Sequence, residues 1–237
     1  MGLTPGRVAA LLSRPGGGLL LDLDGTLVDS EPVHAAAYRE YFSGRGWHVN
    51  SQVISTFTGR RAPDVFATLP GPWSGEDPMA LTEGVLDALA RTTMRYAPVA
   101  GAAALIMACA QADLPVAVVT SARRSWVTTV LDLLGVGEMA MLMVTAEDCS
   151  PGKPDPEPFL RGADLLGRRP RDLVAVEDSR AGIHSARGAG IGQVIAVTTS
   201  APADELLAAG AHTTARDLVA LAGIVGNLAR ARAEACS

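Results

Sequence analysis

Two aspartates stand one residue apart at the end of an apolar run near the start of the chain. Leu19 to Leu21 reads as a buried strand, and Asp22-Leu-Asp24-Gly-Thr follows it directly. Side chains at i and i+2 share one face of a strand, so both acids emerge at its carboxyl end, where open α/β sheets bind ligands. Because adjacent carboxylates repel each other, a divalent cation is their natural partner. The pair therefore predicts a cation site.

A pair of hydroxyl residues ends a second apolar run. Residues 117–119 are rich in β-branched side chains and lead into Thr120 and Ser121. A hydroxyl and the backbone N–H groups after it can hold phosphate oxygens at a helix N-terminus. The alternative is that one hydroxyl only caps the following helix. Beside the aspartate pair, phosphate binding is the favoured interpretation.

A lysine set among prolines is the third chemical segment. Lys153 lies in Gly-Lys-Pro-Asp-Pro, just before a predicted helix. An isolated lysine is usually a solvated surface charge, but flanking prolines stiffen a loop and determine where the ammonium points. An ammonium held near two carboxylates would offset their repulsion and bind a transferred phosphoryl group.

A second acidic pair, Glu177 and Asp178, follows the apolar run 173–176. Either acid could cap the next helix and stabilise it by about 1 kcal/mol. Capping explains one acid better than two. We therefore expect Asp178 to contact the cation, directly or nearly so, and Glu177 to support a ligand, a water or Lys153.

Strands alternate with helices along most of the chain, which predicts an α/β fold with a doubly wound parallel sheet. The predicted strands are 19–21, 116–120, 141–144, 173–176 and 193–197, and the helices between and after them are 101–111, 125–134, 156–166, 181–188, 203–209 and 216–230. From about 33 to 97 the sequence reads as helices and loops, beginning with a helix at 33–42.

This helical stretch predicts a small inserted cap domain. We expect a core of residues 1–32 and 98–237 and a cap of residues 33–97, joined through Glu31-Pro32 and Ala97-Pro98. Because the insertion begins just after the first aspartate pair, it should cover that site as a lid. The alternative is a helical decoration without a role.

Composition and charge argue against several classes of protein. The 237 residues are 48% hydrophobic and 19% charged, as in globular proteins, and the net charge of −5 argues against nucleic-acid binding. With no signal-peptide pattern and no 18-residue apolar run, we expect no membrane contact and a cytoplasmic, monomeric protein. Cys109, Cys149 and Cys236 lack CxxC spacing and read as reduced thiols, two of them buried or partly buried and one in the tail.

Taken together, the four segments resemble the motifs of the haloacid dehalogenase (HAD) superfamily, in the same order and over nearly the whole chain. The first matches as Asp22-Leu-Asp24-Gly-Thr, the second as Thr120, the third as Lys153 and the fourth as Glu177-Asp178. The inserted helices are similar to the small cap of the branch that contains phosphoglycolate phosphatases, sugar-phosphate phosphatases and β-phosphoglucomutases.

The resemblance implies a Rossmann-like core and a phosphatase that works through an aspartyl phosphate. Asp22 would attack phosphorus, while Asp24 would protonate the leaving alcohol and then deprotonate the hydrolytic water. Thr120, Ser121 and Lys153 would hold the phosphate oxygens. Dehalogenases of the superfamily lack the second aspartate because a halide leaves without a proton, so Asp24 favours phosphate monoesters.

The resemblance also implies a Mg²⁺ cofactor. Its protein ligands would be Asp22, the backbone carbonyl of Asp24 and Asp178, with Glu177 beside them. Phosphate and waters would complete an octahedral set of oxygen ligands.

Substrate choice would fall to the cap and to the loop after Thr120. The candidate substrate-binding residues are Glu31, His34, Arg60, Arg61 and Arg123, although each could instead be a solvated surface group. The expected substrate is a small phosphorylated metabolite, a sugar or polyol phosphate. Two alternatives stay open: a phosphomutase similar to β-phosphoglucomutase, and a non-catalytic binding or regulatory protein on the same fold.

Overall fold

The centre of the protein is a parallel β-sheet. In the computed structural model, which describes residues 5–139 and 141–235, the strands are β1 (Gly18–Leu21), β2 (Val28–Asp29), β3 (Ala97–Pro98), β4 (Val116–Val119), β5 (Leu142–Val144), β6 (Leu173–Glu177), β7 (Gln193–Val197) and β8 (Thr213–Ala215). Six of these strands form one sheet in the order β5-β4-β1-β6-β7-β8, and every neighbouring pair is parallel. The aspartate pair follows β1, which lies between β4 and β6.

Helices connect the strands and cover the sheet. They are α1 (Pro5–Leu12), α2 (Glu31–Gly44), α3 (Ser51–Ile54), α4 (Ala62–Thr68), α5 (Pro78–Arg91), α6 (Ala102–Gln111), α7 (Arg124–Leu133), α8 (Glu157–Leu165), α9 (Arg180–Gly188), α10 (Ala203–Ala208) and α11 (Val219–Ala235). Short 3₁₀ turns are present at Ser55–Phe57, Ala146–Asp148 and Pro170–Asp172.

Each face of the sheet has its own apolar core, because alternate residues of a strand point to opposite faces. Leu19 and Leu21 pack with residues of α1, α6, α7 and α11, whereas Leu20 packs with residues of α8, α9 and α10. All three leucines are fully buried, which explains why the strand reads as a continuous apolar run. Helices on both faces of a parallel sheet confirm the predicted doubly wound α/β fold.

Between β2 and β3 the chain leaves the sheet and forms a helical insert, α2–α5. The insert has a separate apolar cluster rich in aromatic rings. Phe42 and Trp73 stack with their ring centroids 5.3 Å apart, and Phe57 meets Phe66 edge to face at 4.9 Å. The short strands β2 and β3 pair antiparallel, so the two ends of the insert leave the sheet side by side.

Most predicted boundaries agree with the structure to within two residues. The last helix differs more: it begins at Val219, whose backbone N–H donates to the Asp217 side chain, and it extends to Ala235. Sequence reasoning missed α1, the β2–β3 pair and the edge strand β8. Glu31 and Pro32, expected as a linker, form the first turn of α2 instead. The division into domains at residues 32/33 and 97/98 stays a prediction.

Two of the three cysteines can be placed. Cys109 and Cys149 are free and buried, as predicted, while Cys236 lies outside the described residues. Among the described helices, none combines the length and the apolar character needed to cross a membrane.

Candidate active site

The carboxyl ends of three neighbouring strands bring the predicted chemical segments together. Asp22 follows β1, Thr120 follows β4, and Glu177 ends β6 with Asp178 directly after it. Lys153 reaches the same place from the loop before α8. Residues far apart in the sequence thus meet at one edge of the sheet, where parallel strands end.

Lys153 is a buried residue, 1% exposed, and not the solvated surface charge that an isolated lysine usually is. Its Nζ donates to Asp22 Oδ1 at 2.5 Å, to Glu177 Oε1 at 2.6 Å and to the Val119 carbonyl at 2.9 Å. These bonds use all three donors of the ammonium group. Burial alone would lower the pKa of Lys153, but the charges of Asp22 and Glu177 raise this pKa overall, so the group stays charged.

Negative charge exceeds positive charge in this cluster. Asp22, Glu177 and Asp178 are all buried, and the Lys153 ammonium forms ion pairs with the first two. Burial raises the pKa of Asp22 well above its ordinary value, against the lowering effect of Lys153. Burial also raises the pKa of Asp178, and the charges of Glu177 and Asp22 add to that shift. The cluster therefore favours an additional cation.

A divalent cation fits the oxygen atoms that the cluster presents. Oxygens of Asp22, Glu177 and Asp178 lie within 4.8 Å of one another. Asp178 Oδ1 is buried and has no hydrogen-bond partner in the described part of the chain, and a cation would satisfy it. All-oxygen, net negative sites of this kind suit Mg²⁺.

Glu177 has a different environment from the two aspartates. Its Oε1 accepts the bond from Lys153, and its Oε2 accepts bonds from the backbone N–H groups of Asp178 and Ser179 and from the Ser179 hydroxyl. Since both oxygens already have protein donors, the geometry favours the supporting position for Glu177 and leaves Asp22 and Asp178 as the better-placed carboxylates for a cation.

The other oxygen of Asp178 is held by a residue that sequence reasoning missed. Ser200, in the loop after β7, donates its hydroxyl to Asp178 Oδ2. Gly25 packs against the same oxygen: its φ is +75°, and a Cβ there would lie 1.9 Å from Asp178 Oδ2. Glycine is therefore needed at this position for both its backbone conformation and its close approach. The sequence feature that could have located Ser200 is the run of hydroxyl residues Thr198, Thr199 and Ser200 directly after a strand.

Asp24 points away from the lysine and toward the helical insert. Its Oδ1 accepts bonds from the Ser30 hydroxyl at 2.6 Å and from Trp126 Nε1 at 2.9 Å. His34 Nε2 lies 4.0 Å from the same oxygen. Both aspartates of the first segment line the cavity described below, but their hydrogen-bond partners differ.

The two hydroxyl residues after β4 are used differently. Thr120 Oγ1 accepts the backbone N–H of Ala122 at 3.0 Å in the turn before α7, and the hydroxyl hydrogen stays available to a ligand. The capping alternative is wrong, because the N-cap of α7 is Arg123 and its side chain makes no capping hydrogen bond. Ser121 donates its hydroxyl hydrogen to the Gly59 carbonyl of the insert at 3.0 Å. Of the two hydroxyl groups, that of Thr120 is therefore better placed to donate to a ligand.

A cavity of about 950 Å³ lies between the insert and the carboxyl edge of the sheet. The candidate substrate-binding residues all line it: Glu31, His34, Arg60, Arg61 and Arg123. Glu31 accepts the Thr58 hydroxyl at 2.8 Å, and its burial raises its pKa above the ordinary value. Arg123 is exposed and pairs with Glu83 of α5 at 2.5 Å. Residues of the insert therefore form one wall of this cavity, and a lid role stays a prediction.

The two adjacent arginines of the insert have opposite surroundings. Arg61 is bound to Asp64 at 2.7 Å and donates to the backbone carbonyls of Cys149 and Ser150 in the loop that leads to Lys153. The hydrogen bonds of Arg61 therefore link the insert to that loop. Arg60 Nε, by contrast, is buried without a hydrogen-bond partner in the described residues.

The fold and the site together define a class of hydrolase. A family profile described as haloacid dehalogenase-like hydrolase matches residues 19–197, a span that contains all of β1 but Gly18, the helical insert and the four chemical segments. The chain therefore belongs to the haloacid dehalogenase-like hydrolases, and the resemblance seen in the sequence is confirmed.

Individual relatives show which kinds of hydrolase this chain is similar to. Validoxylamine A 7'-phosphate phosphatase of Streptomyces hygroscopicus subsp. limoneus is 34% identical over 188 residues, which cover 79% of this chain and 88% of that protein. Hexitol phosphatase A of Escherichia coli (strain K12) is 35% identical over 187 residues, covering 79% and 84%. A solved hydrolase structure from Pseudomonas syringae superposes with a TM-score of 0.78 at 24% identity, covers 89% of this chain and 98% of that chain, and supports the fold. Both of these sequence relatives are thus phosphatases.

Proposed function

We propose that the protein is a Mg²⁺-dependent phosphatase that hydrolyses a small phosphate monoester, a sugar or polyol phosphate, through an aspartyl-phosphate intermediate. The observation that carries this proposal is the buried cluster of Asp22, Lys153 and Asp178, in which Asp22 also lines the cavity of about 950 Å³. The two relatives named above, whose names refer to phosphatases of validoxylamine A 7'-phosphate and of hexitol phosphates, support the substrate class.

In this proposal Asp22 attacks phosphorus in line, a P–O bond to its carboxylate forms, and the P–O bond to the substrate alcohol breaks. Asp24 gives a proton to the departing alkoxide and later takes one from the water that hydrolyses the intermediate. Lys153 exchanges its bond to Asp22 for one to a non-bridging phosphate oxygen, and Thr120 donates to another. Glu177 keeps Lys153 in place. Bound Mg²⁺, with Asp22, Asp178 and the Asp24 carbonyl as protein ligands, would supply charge neutralisation.

Removal of divalent metal should stop turnover. We expect EDTA to abolish release of inorganic phosphate from sugar and polyol phosphates, and added Mg²⁺ to restore it, because the cluster carries uncompensated negative charge. Mg²⁺ should also raise the Tm of the wild-type protein, since a ligand bound to the folded state stabilises it, but not that of Asp178→Asn.

Metal-independent turnover would contradict the assigned cofactor. Interconversion of two isomers in the presence of a bisphosphate activator, without steady phosphate release, would identify a phosphomutase instead. Failure to act on any phosphate monoester would leave the non-catalytic alternative.

Arg60 is the residue we assign to substrate binding, because its buried Nε has no partner in the described residues and its side chain lines the cavity. Arg60→Ala should raise KM roughly tenfold or more with a smaller change in kcat, since a charge-assisted hydrogen bond is lost. Arg61→Ala should lower kcat instead, because it frees the loop that leads to Lys153.

Steady-state kinetics on the preferred substrate separate these outcomes. Arg91→Ala is the matched control, because Arg91 pairs with Glu40 on the exposed side of the insert and is not among the cavity residues. An unchanged KM in Arg60→Ala would show that Arg60 does not contact the substrate.

A further inference from the structure

Trp126 makes a hydrogen bond that the proposed chemistry does not yet use. Its indole Nε1 donates to Asp24 Oδ1 at 2.9 Å across a separation of 102 residues in the sequence. Ser30 donates to the same oxygen at 2.6 Å. Both described hydrogen bonds to the Asp24 side chain therefore fall on Oδ1, which leaves Oδ2 as the oxygen that can exchange a proton with a ligand.

The indole is held in place from the side of the insert. The Tyr96 ring, from the segment between α5 and β3, lies 4.6 Å from the Trp126 ring, and the His34 ring of α2 lies 6.5 Å away. His34 and Tyr96 also meet edge to face at 6.3 Å. Trp126 itself lies in the first turn of α7, which is not part of the insert. The contacts with Tyr96 and His34 thus hold the Trp126 ring and the direction of its N–H.

An indole N–H suits this position for a chemical reason. It donates one hydrogen bond and accepts none, so it cannot take the proton that Asp24 must handle. A hydroxyl or an imidazole at the same place could exchange that proton. The ring also lines the cavity, so a contact with substrate is a competing role that an experiment must separate.

We propose that Trp126 is a positioning residue, which through its indole N–H holds Asp24 Oδ1 and directs Oδ2 toward the oxygen of the leaving alcohol. This inference rests on the proposed function, in which Asp24 is the acid for the leaving group. Trp126 therefore affects the protonation of the leaving alcohol by Asp24, and it does not affect the binding of phosphate by Lys153 and Thr120.

Trp126→Phe keeps the aromatic ring and removes the donor, and two substrates then separate the possible roles. Sorbitol 6-phosphate releases an alkoxide that needs a proton, whereas p-nitrophenyl phosphate releases a phenolate that does not. We expect kcat/KM to fall roughly tenfold or more for the first substrate and to stay within about twofold for the second. An equal fall for both substrates would mean that Trp126 acts through packing or substrate contact, and no fall for either would overturn the proposal.

A second measurement does not depend on turnover. In a ¹H–¹⁵N spectrum the Trp126 indole signal is the one that Trp126→Phe removes. We expect Asp24→Ala to shift this signal and to speed its exchange with solvent, because the acceptor is lost. An unchanged signal would overturn the assigned hydrogen bond, whatever the activity measurements give.

Trp73→Phe is the matched control. Trp73 also donates its indole N–H, to the Leu69 carbonyl at 2.9 Å, but it lies in the aromatic core of the insert away from Asp24. It should not discriminate between the two substrates. If Asp24→Asn is inactive on sorbitol 6-phosphate while Trp126→Phe is unaffected, the positioning role fails and the proposed function stands. If Asp22→Asn retains activity, the proposed function itself fails.

Discussion

Asp22→Asn is expected to abolish phosphate release while the protein stays folded. An amide cannot form the acyl phosphate, so turnover should fall by roughly 10⁴-fold or more. The fold should persist because the carbonyl oxygen of the new amide can still accept the bond from Lys153, and Glu177 keeps the ammonium neutralised at 2.6 Å. Phosphate release measures the first effect, and circular dichroism with urea unfolding measures the second.

The stability of this variant follows from the pKa shift of Asp22. Burial raises the pKa of this carboxyl in the folded protein, so its contribution to stability is present at low pH and is lost as the pH rises through the raised value. In EDTA at neutral pH, Asp22→Asn should therefore be at least as stable as the wild type. A large destabilisation there would contradict the charge balance that we infer.

Asp87→Asn is the matched control for the loss of activity, because Asp87 is an exposed residue of α5. It should retain wild-type turnover. Acid-quenched samples of the wild type with substrate should contain a phosphorylated protein by intact mass, and Asp22→Asn should not. Full activity in Asp22→Asn would refute the nucleophile assignment.

Lys153→Met is expected to cause the second large effect, a loss of both activity and stability. The substitution keeps the approximate length of the side chain but leaves Asp22 and Glu177 without their buried counter-charge. Removing one partner of a buried pair destabilises a protein by about 3–5 kcal/mol, and the phosphate would lose a cationic ligand. Urea unfolding at neutral pH and phosphate release measure the two effects.

The pH dependence of this loss has a defined sign. Without Lys153 the effect that lowers the pKa of Asp22 is lost, so this carboxyl will bind a proton at higher pH. The deficit in unfolding free energy should therefore shrink as the pH falls and grow as it rises. The double variant Lys153→Met/Glu177→Gln should recover part of the stability, because one buried charge is removed, but none of the activity. A Lys153→Met protein as stable as the wild type at neutral pH would show that the ion pairs are not important for folding.

The part of the site that could be predicted follows from local rules. Strand residues alternate between faces and parallel strands end at one edge, so Asp22, Thr120 and Asp178 could be placed together from the sequence alone. Lys153 could be added because prolines restrict its loop. The first inference needs only the strands and their last residues, and the second needs only the prolines around Lys153.

The parts that could not be predicted depend on how the insert sits over the sheet. Arg60 and Arg61 are adjacent in the sequence, yet Arg61 links the insert to a loop, whereas Arg60 has a buried Nε without a hydrogen-bond partner among the described residues. The bond from Trp126 to Asp24 depends in the same way on packing between distant segments. The edge strand β8 was missed because its three residues, Thr-Thr-Ala, carry too short a pattern.

Lys153 is also the single lysine in the sequence, against nineteen arginines. Because it is 1% exposed, the folded protein keeps its lysine amine from acylating reagents. Attachment of an acyl group at that amine would thus report the opening of this one region, with no background from other lysines. Lys153 therefore offers a single-site chemical label for the unfolding of this region.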